Sequence, residues 1–174
     1  MIHRHIVFDI ETTGLNPLKD RITCICTKTD DGGECKFAGD QEKTILTDFL
    51  YLFKKDHYVS LISANGRDFD LPFIFIRCLI NGINYDDELK KLNDIVHFDV
   101  INDITDRRIS LNNLARLYGF NVKTGNGLRA IELWKQQKYT ELLDYCMDDV
   151  KLTENVYKKY LEIKNKKLEE IIND

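Results

Sequence analysis

The chain has 174 residues, 43% hydrophobic and 31% charged, a balance that fits one well-cored globular domain and is too short for two. Its net charge of −4 lacks the basic excess usual in proteins that grip long nucleic acids. Divalent cations bound to a group of acids would reverse that balance locally.

Met1 to His5 runs straight into a strand, so no leader segment is expected. Ile6-Val7-Phe8-Asp9-Ile10-Glu11-Thr12-Thr13-Gly14 is rich in β-branched and aromatic residues. Alternate residues of a strand share a face, so Asp9 and Glu11 stand side by side with Val7, and Ile6, Phe8 and Ile10 point the other way. Two adjacent carboxylates repel and are costly to bury bare. Either a cation lies between them or the strand runs out into water.

Asn16-Pro17 and Lys19-Asp20 predict a turn, and Arg21 to Lys28 a second strand, with Ile22, Cys24 and Cys26 alternating against Thr23, Ile25 and Thr27. Asp30-Asp31-Gly32-Gly33 is a hairpin signal, with Glu34 to Ala38 returning as a third strand. Apolar residues from Thr44 to Phe53 recur at helical spacing, and Tyr58 to Ile62 is a short fourth strand closed by Ala64-Asn65-Gly66. Asp70-Leu71-Pro72 opens a helix that stops at Asn81-Gly82, since proline is tolerated in a first turn. The apolar run around Leu71 to Ile80 is far short of a membrane span and is broken by Arg77. Asp86 to Leu92 reads as a loop or short helix, and Ile95 to Val100 as a fifth strand. Ser110 caps a helix through Leu117 that ends at Gly119. Lys123 to Arg129 is the expected mobile loop, and Leu128 to Trp134 a short amphipathic helix.

A long helix starts at Tyr139, with Leu142, Cys146, Val150, Tyr157 and Leu161 on its apolar stripe. Its lysine-rich end is interleaved with Glu162, Glu169 and Glu170, the pattern of a solvated face. Strands alternating with helices predict an α/β mixed sheet covered by helices. The 5 cysteines are scattered and include no C-x-x-C pair. They suggest neither a disulfide framework nor a zinc site, and fit a reducing, cytoplasmic setting.

Two further acidic stations join the first. Asn65 to Asp70 lies between a strand end and a helix start, where Asp70 is either a ligand or the helix N-cap, and Asp68 keeps some claim. Tyr145 and Asp149 are one helical turn apart at the edge of the buried stripe; Asp148 competes with Asp149, because both lie within a turn of Tyr145. Oxygen ligands without His or Cys partners point to Mg²⁺ or Mn²⁺. Two such ions about 3.5–4 Å apart can activate a water and stabilise the leaving oxygen of a phosphodiester.

In this order the stations resemble the DEDDy branch of the DnaQ-like 3′–5′ exonucleases, most closely compact domains related to the proofreading domain of B-family DNA polymerases. F-D-I-E-T-T-G carries Asp9 and Glu11, N-x-x-x-F-D carries Asn65, Phe69 and Asp70, and Y-x-x-x-D carries Tyr145 and Asp149. Ser110-Leu111-Asn112-Asn113-Leu114-Ala115 with Gly119 also matches. The sister branch has a histidine five residues before the last acid, where this chain has Asp144.

The resemblance implies a ribonuclease H-like fold with a five-stranded mixed sheet, one exonuclease domain with a core at about 5–160 and a helical extension at 161–174. It implies two ions, Mg²⁺ or Mn²⁺. Asp9, Glu11 and Asp149 would hold the one that carries the attacking water, and Asp9 would bridge to the second, with Asp70 in support. Tyr145 would orient the water, since a phenol with an ordinary pKa near ~10 is a poor base at neutral pH. Thr12, Thr13 and Leu15 would line the terminal nucleotide, and Asn65 and Phe69 the strand beside it. Asp99 either adds negative charge behind the ligands or caps a turn. The implied substrate is a single-stranded 3′ end, DNA before RNA; an exoribonuclease on short RNA and a fold that has lost catalysis and only binds are the alternatives. Neither a membrane nor a particular polymerase or repair partner is implied.

Overall fold

A computed structural model of the chain describes residues 5–55, 60–84, 87–105, 109–122 and 128–173. Its strands are β1 (His5–Thr12), β2 (Ile22–Thr29), β3 (Glu34–Ala38), β4 (Ser60–Ser63) and β5 (Val96–Asp99). Its helices are α1 (Glu42–Lys55), α2 (Asp70–Ile80), α3 (Asp87–Asp94), α4 (Leu111–Leu117), α5 (Leu128–Lys135) and α6 (Tyr139–Asn173). The strands form one sheet in the order β3-β2-β1-β4-β5. β1 pairs antiparallel with β2 and parallel with β4, so the sheet is mixed and β1 lies at its centre. Tyr58 and Val59, expected in the fourth strand, and 123–127 of the expected loop lie outside the described residues.

The alternation along β1 separates two cores. Ile6, Phe8 and Ile10 pack with Phe49 of α1, Phe73 of α2 and Leu89 of α3. Val7 packs on the other side with Leu114 of α4, Leu133 of α5 and Cys146 and Val150 of α6. A sheet covered on both faces results, and a strand buried on both sides explains why β1 is so rich in branched residues. Asp9 and Glu11 share Val7's face, toward α6.

β2 departs from simple alternation. Glu11 is opposite Cys24 but Thr12 is opposite Ile22, so Thr23 is an extra residue and the pairing shifts there. Such a bulge reverses the side to which the residues beyond it point. Ile22 therefore joins Ile25 against α1 instead of the Cys24–Cys26 side that its spacing predicts. Thr23 Oγ1 donates to Glu11 O at 3.0 Å and fixes the bulge beside the acid. The segment that was open between loop and helix is α3, whose Leu89 and Leu92 are buried. Ser110 caps α4, its hydroxyl accepting from Asn113 N at 3.2 Å. No described helix is long and apolar enough to cross a membrane.

Candidate active site

The end of β1, the start of α2 and the middle of α6 bring the acids together. One carboxylate oxygen each from Asp9, Glu11 and Asp149 lie within 4.8 Å of one another. Asp148, the competing neighbour, is exposed on the wall of a cleft. α6 therefore turns Asp149 toward β1.

Asp70 is not the N-cap of α2. Phe69 holds that position without a side-chain cap bond. The Asp70 carboxylate instead accepts the Ile10 N–H at 3.1 Å and is only 4% exposed. That bond locks Asp70 to the residue between Asp9 and Glu11. Gly66 makes the approach possible, because a Cβ there would stand 2.4 Å from Ser63 Oγ and 3.4 Å from Asp70 Oδ2.

The electrostatics are those of acids crowded together at the edge of the core. Burial, then the charges of Asp70, Glu11 and Asp149, raise the Asp9 pKa well above the carboxylate range. Burial and the charges of Asp149 and Asp70 push Glu11 up to about 8. Burial raises Asp70 to about 7 against the opposing Ile10 N–H bond, and burial with Asp148 raises Asp149 to about 6. Four acids resist ionising together, and three of them, Asp9, Glu11 and Asp149, have oxygens close enough to share an ion, which suits a hard divalent cation. The residues fit the group that the resemblance implies.

A pH-dependent stability follows. These carboxyls hold protons in the folded state at pH values where the unfolded chain has released them. Without metal, folding stability therefore falls as pH rises from about 4, the ordinary carboxylate range, through the folded pKa values of about 6 to 8. A divalent ion binds the ionised form. At one hundred times its dissociation constant it adds about 2.7 kcal/mol, or about 5–10 °C in the midpoint of a chain this size. Thermal melts with Mn²⁺ or chelator should differ by that amount at pH 8 and hardly at all at pH 5; equal shifts at both would contradict the assignment.

Tyr145 lies in the same field. Burial, then Glu11, Asp149 and Asp9, push its phenol up to about 12, so it keeps its proton at neutral pH. With Asp149 it lines an open cleft of about 260 Å³ between α6 and the α4 side, where Asn112 and Asn121 form the opposite wall.

Thr12 Oγ1 donates to Gly14 O at 2.6 Å, and Thr13 Oγ1 accepts from Arg21 N at 3.0 Å. Both hydroxyls shape the turn after β1, which Asp20 closes by accepting from Asn16 N at 2.9 Å. That turn leaves Leu15 83% and Leu18 72% exposed. Phe69 is half-buried against Phe73, with ring centroids 5.4 Å apart. Asn65 is exposed, and its backbone takes a φ of 64°, a left-handed conformation that asparagine tolerates.

Asp99 is fully buried and accepts the N–H groups of Asn65 at 2.8 Å, Arg67 at 3.0 Å and Ile101 at 3.0 Å. It caps the turn after β5 and clamps the loop that leads to Asp70. Its charge also raises the Asp70 pKa. Asp68 accepts from Asn102 Nδ2 at 3.2 Å on the exposed side of that loop.

Cys146 was not expected at the site. Its thiol, on the turn of α6 before Asp149, donates to Asp9 O and Oδ2 at 3.5 Å each. The signal was its helical phase, three residues before the acid. Arg67, inside the second station, donates to both Asp103 oxygens at 3.0 and 2.7 Å and braces β5.

A family model for the RNase_H superfamily matches residues 6–161. An uncharacterized protein of Methanocaldococcus jannaschii is 29% identical over 140 residues, 80% of this chain and 62% of that protein. In fold the chain matches the family B DNA polymerase of the hyperthermophilic archaeon Pyrobaculum calidifontis, with a TM-score of 0.77 at 22% identity. That match covers 92% of this chain but 25% of the polymerase, so the chain spans a quarter of that protein and under two thirds of the archaeal relative. At this identity the likeness shows the fold alone, which is ribonuclease H-like.

Proposed function

The chain belongs to the RNase_H superfamily, a nuclease-type fold, and from that premise we propose that it is a metal-dependent 3′–5′ exonuclease of the DEDDy type. It forms a single exonuclease domain that releases 5′-mononucleotides from single-stranded ends, DNA before RNA, and a cytoplasmic setting suits its free cysteines. The observation that carries the reading is the convergence of the Asp9, Glu11 and Asp149 oxygens within 4.8 Å beside a protonated tyrosine and an open cleft.

Asp9, Glu11 and Asp149 would hold Mg²⁺ or Mn²⁺, with Asp70 supporting Asp9. Such ions supply an activated water and charge stabilisation for the leaving oxygen. The protein's own part is positioning. Asp70 and the Ile10 N–H fix the end of β1, and Cys146 donates to Asp9 from behind. The Tyr145 hydroxyl can orient a water by hydrogen bonding without taking its proton, since its pKa lies near 12. Exposed Leu15 and Leu18 offer apolar surface to an unpaired terminal base.

Tyr145→Phe should lower kcat about 10²-fold, the scale of misplacing a reactant, with KM and metal binding little changed. Steady-state kinetics on an oligonucleotide, with metal titrated separately, checks it. A fall in metal affinity instead would make the tyrosine structural. The need for a free end is tested with internally labelled circular and linear strands. Only the linear strand should be degraded; equal degradation would make the enzyme an endonuclease.

A further inference from the structure

Directly behind Asp9 lies a second group of potential ligands, and its chemistry is different. Cys24 and Cys26 occupy alternate positions of β2, and both face α6. Cys146 meets them from α6. All three side chains are fully buried, and their sulfurs lie within 4.8 Å of one another. Thiolates bound to one ion at about 2.3 Å stand about 3.8–4.0 Å apart, so only a small contraction would close this trio on a metal. The trio lies in the same buried apolar cluster as Val7, Leu142 and Val150. The polar atoms that meet the thiols are Leu143 O, 3.5 Å from Cys26, and the Asp9 oxygens at Cys146.

We propose that Cys24, Cys26 and Cys146 form a site for one soft cation of the copper(I) or zinc class. Three sulfurs in an apolar pocket select thiophilic ions, whereas the neighbouring oxygens select hard ones. The two centres therefore sort different metals although Cys146 touches Asp9. On binding, each S–H bond is replaced by a sulfur–metal bond and the proton passes to solvent; no oxidation state changes. Cys146 then ceases to donate to Asp9, which links the soft site to the acidic one. The seam between β2 and α6 must open to admit the ion, so loading is slow and the complex long-lived.

Cd²⁺ is the probe, added to reduced, oxygen-free protein under excess Mg²⁺. The expected result is one Cd²⁺ per chain by native mass spectrometry, with thiolate-to-cadmium absorbance in the ultraviolet. Both should be lost in Cys146→Ser and Cys26→Ala, and kept in Cys35→Ser and Cys78→Ser. Cadmium bound without that absorbance, or absorbance that survives Cys146→Ser, would overturn the site. X-ray absorption of the loaded wild type gives an answer that does not depend on any variant folding: a shell of three sulfurs supports the site, an all-oxygen shell refutes it. Neither readout requires catalysis, so the site stands or falls apart from the exonuclease reading.

Discussion

Asp9→Asn is expected to abolish phosphodiester hydrolysis while making the metal-free protein more stable. Asp9 is the acid that the other three crowd most, and burial with their charges holds its pKa far above the carboxylate range. An amide has nearly the same shape and removes that repulsion, so the midpoint without metal should rise. It also removes a charge that would hold a divalent ion. A loss of about 10³-fold or more, equivalent to about 4 kcal/mol of transition-state stabilisation, is the scale for disabling metal-assisted hydrolysis. The Mn²⁺-induced rise in midpoint should shrink in the same variant. Opposite signs for stability and activity mark a functional site. An active Asp9→Asn enzyme, or one that simply unfolds, would contradict this assignment.

Arg77→Met should produce the largest loss of stability away from the acids. Arg77 on α2 donates to Glu42 on α1 through Nε at 2.9 Å and Nη2 at 2.6 Å, and both side chains are largely buried. Glu42 also accepts from Ile22 N at 2.7 Å and Asn81 Nδ2 at 2.9 Å, and Arg77 reaches Pro17 O at 3.1 Å. Burial works against the Glu42 charge, yet Arg77, Asn81 and the Ile22 N–H hold its pKa below the ordinary value. Its contribution to stability is thus present above the unfolded pKa and lost as pH falls through the folded one. Without the guanidinium a charge stays buried and unpaired, a cost of about 3–5 kcal/mol. Urea melts should show that loss, and adding Glu42→Gln, which removes the charge but keeps an acceptor for the Ile22 N–H, should recover most of it. If the double variant were no more stable than the single one, the cost would lie in packing and not in the stranded charge.

Much of this was legible in the sequence because strand and helix periods are strict. Ile6, Phe8 and Ile10 against Val7, Asp9 and Glu11 predicted both cores and the shared face of two acids. Asp70 was not legible from local chemistry: an Asp ahead of Leu71-Pro72 looks like a cap, and only pairing across the fold reveals its bond to Ile10 N. Asp149 could not be told from Asp148 by helical phase alone. The bulge at Thr23 carried no compositional signal, so Ile22 was assigned to the wrong side. The thiol trio was hidden for a similar reason. Two of its members alternate on one strand and the third comes from a distant helix, so no spacing along the chain joins them.

Metal-dependent 3′–5′ digestion is read out with 5′-labelled single strands of DNA and RNA, matched in sequence. Each is incubated with Mg²⁺ or Mn²⁺ and either wild type or Asp149→Asn. A metal-dependent 3′–5′ exonuclease gives a ladder descending one nucleotide at a time from wild type, faster on DNA, absent from the variant and abolished by chelator. A ladder that persists in Asp149→Asn or under chelator would contradict it, as would intact strands from a wild type with metal bound.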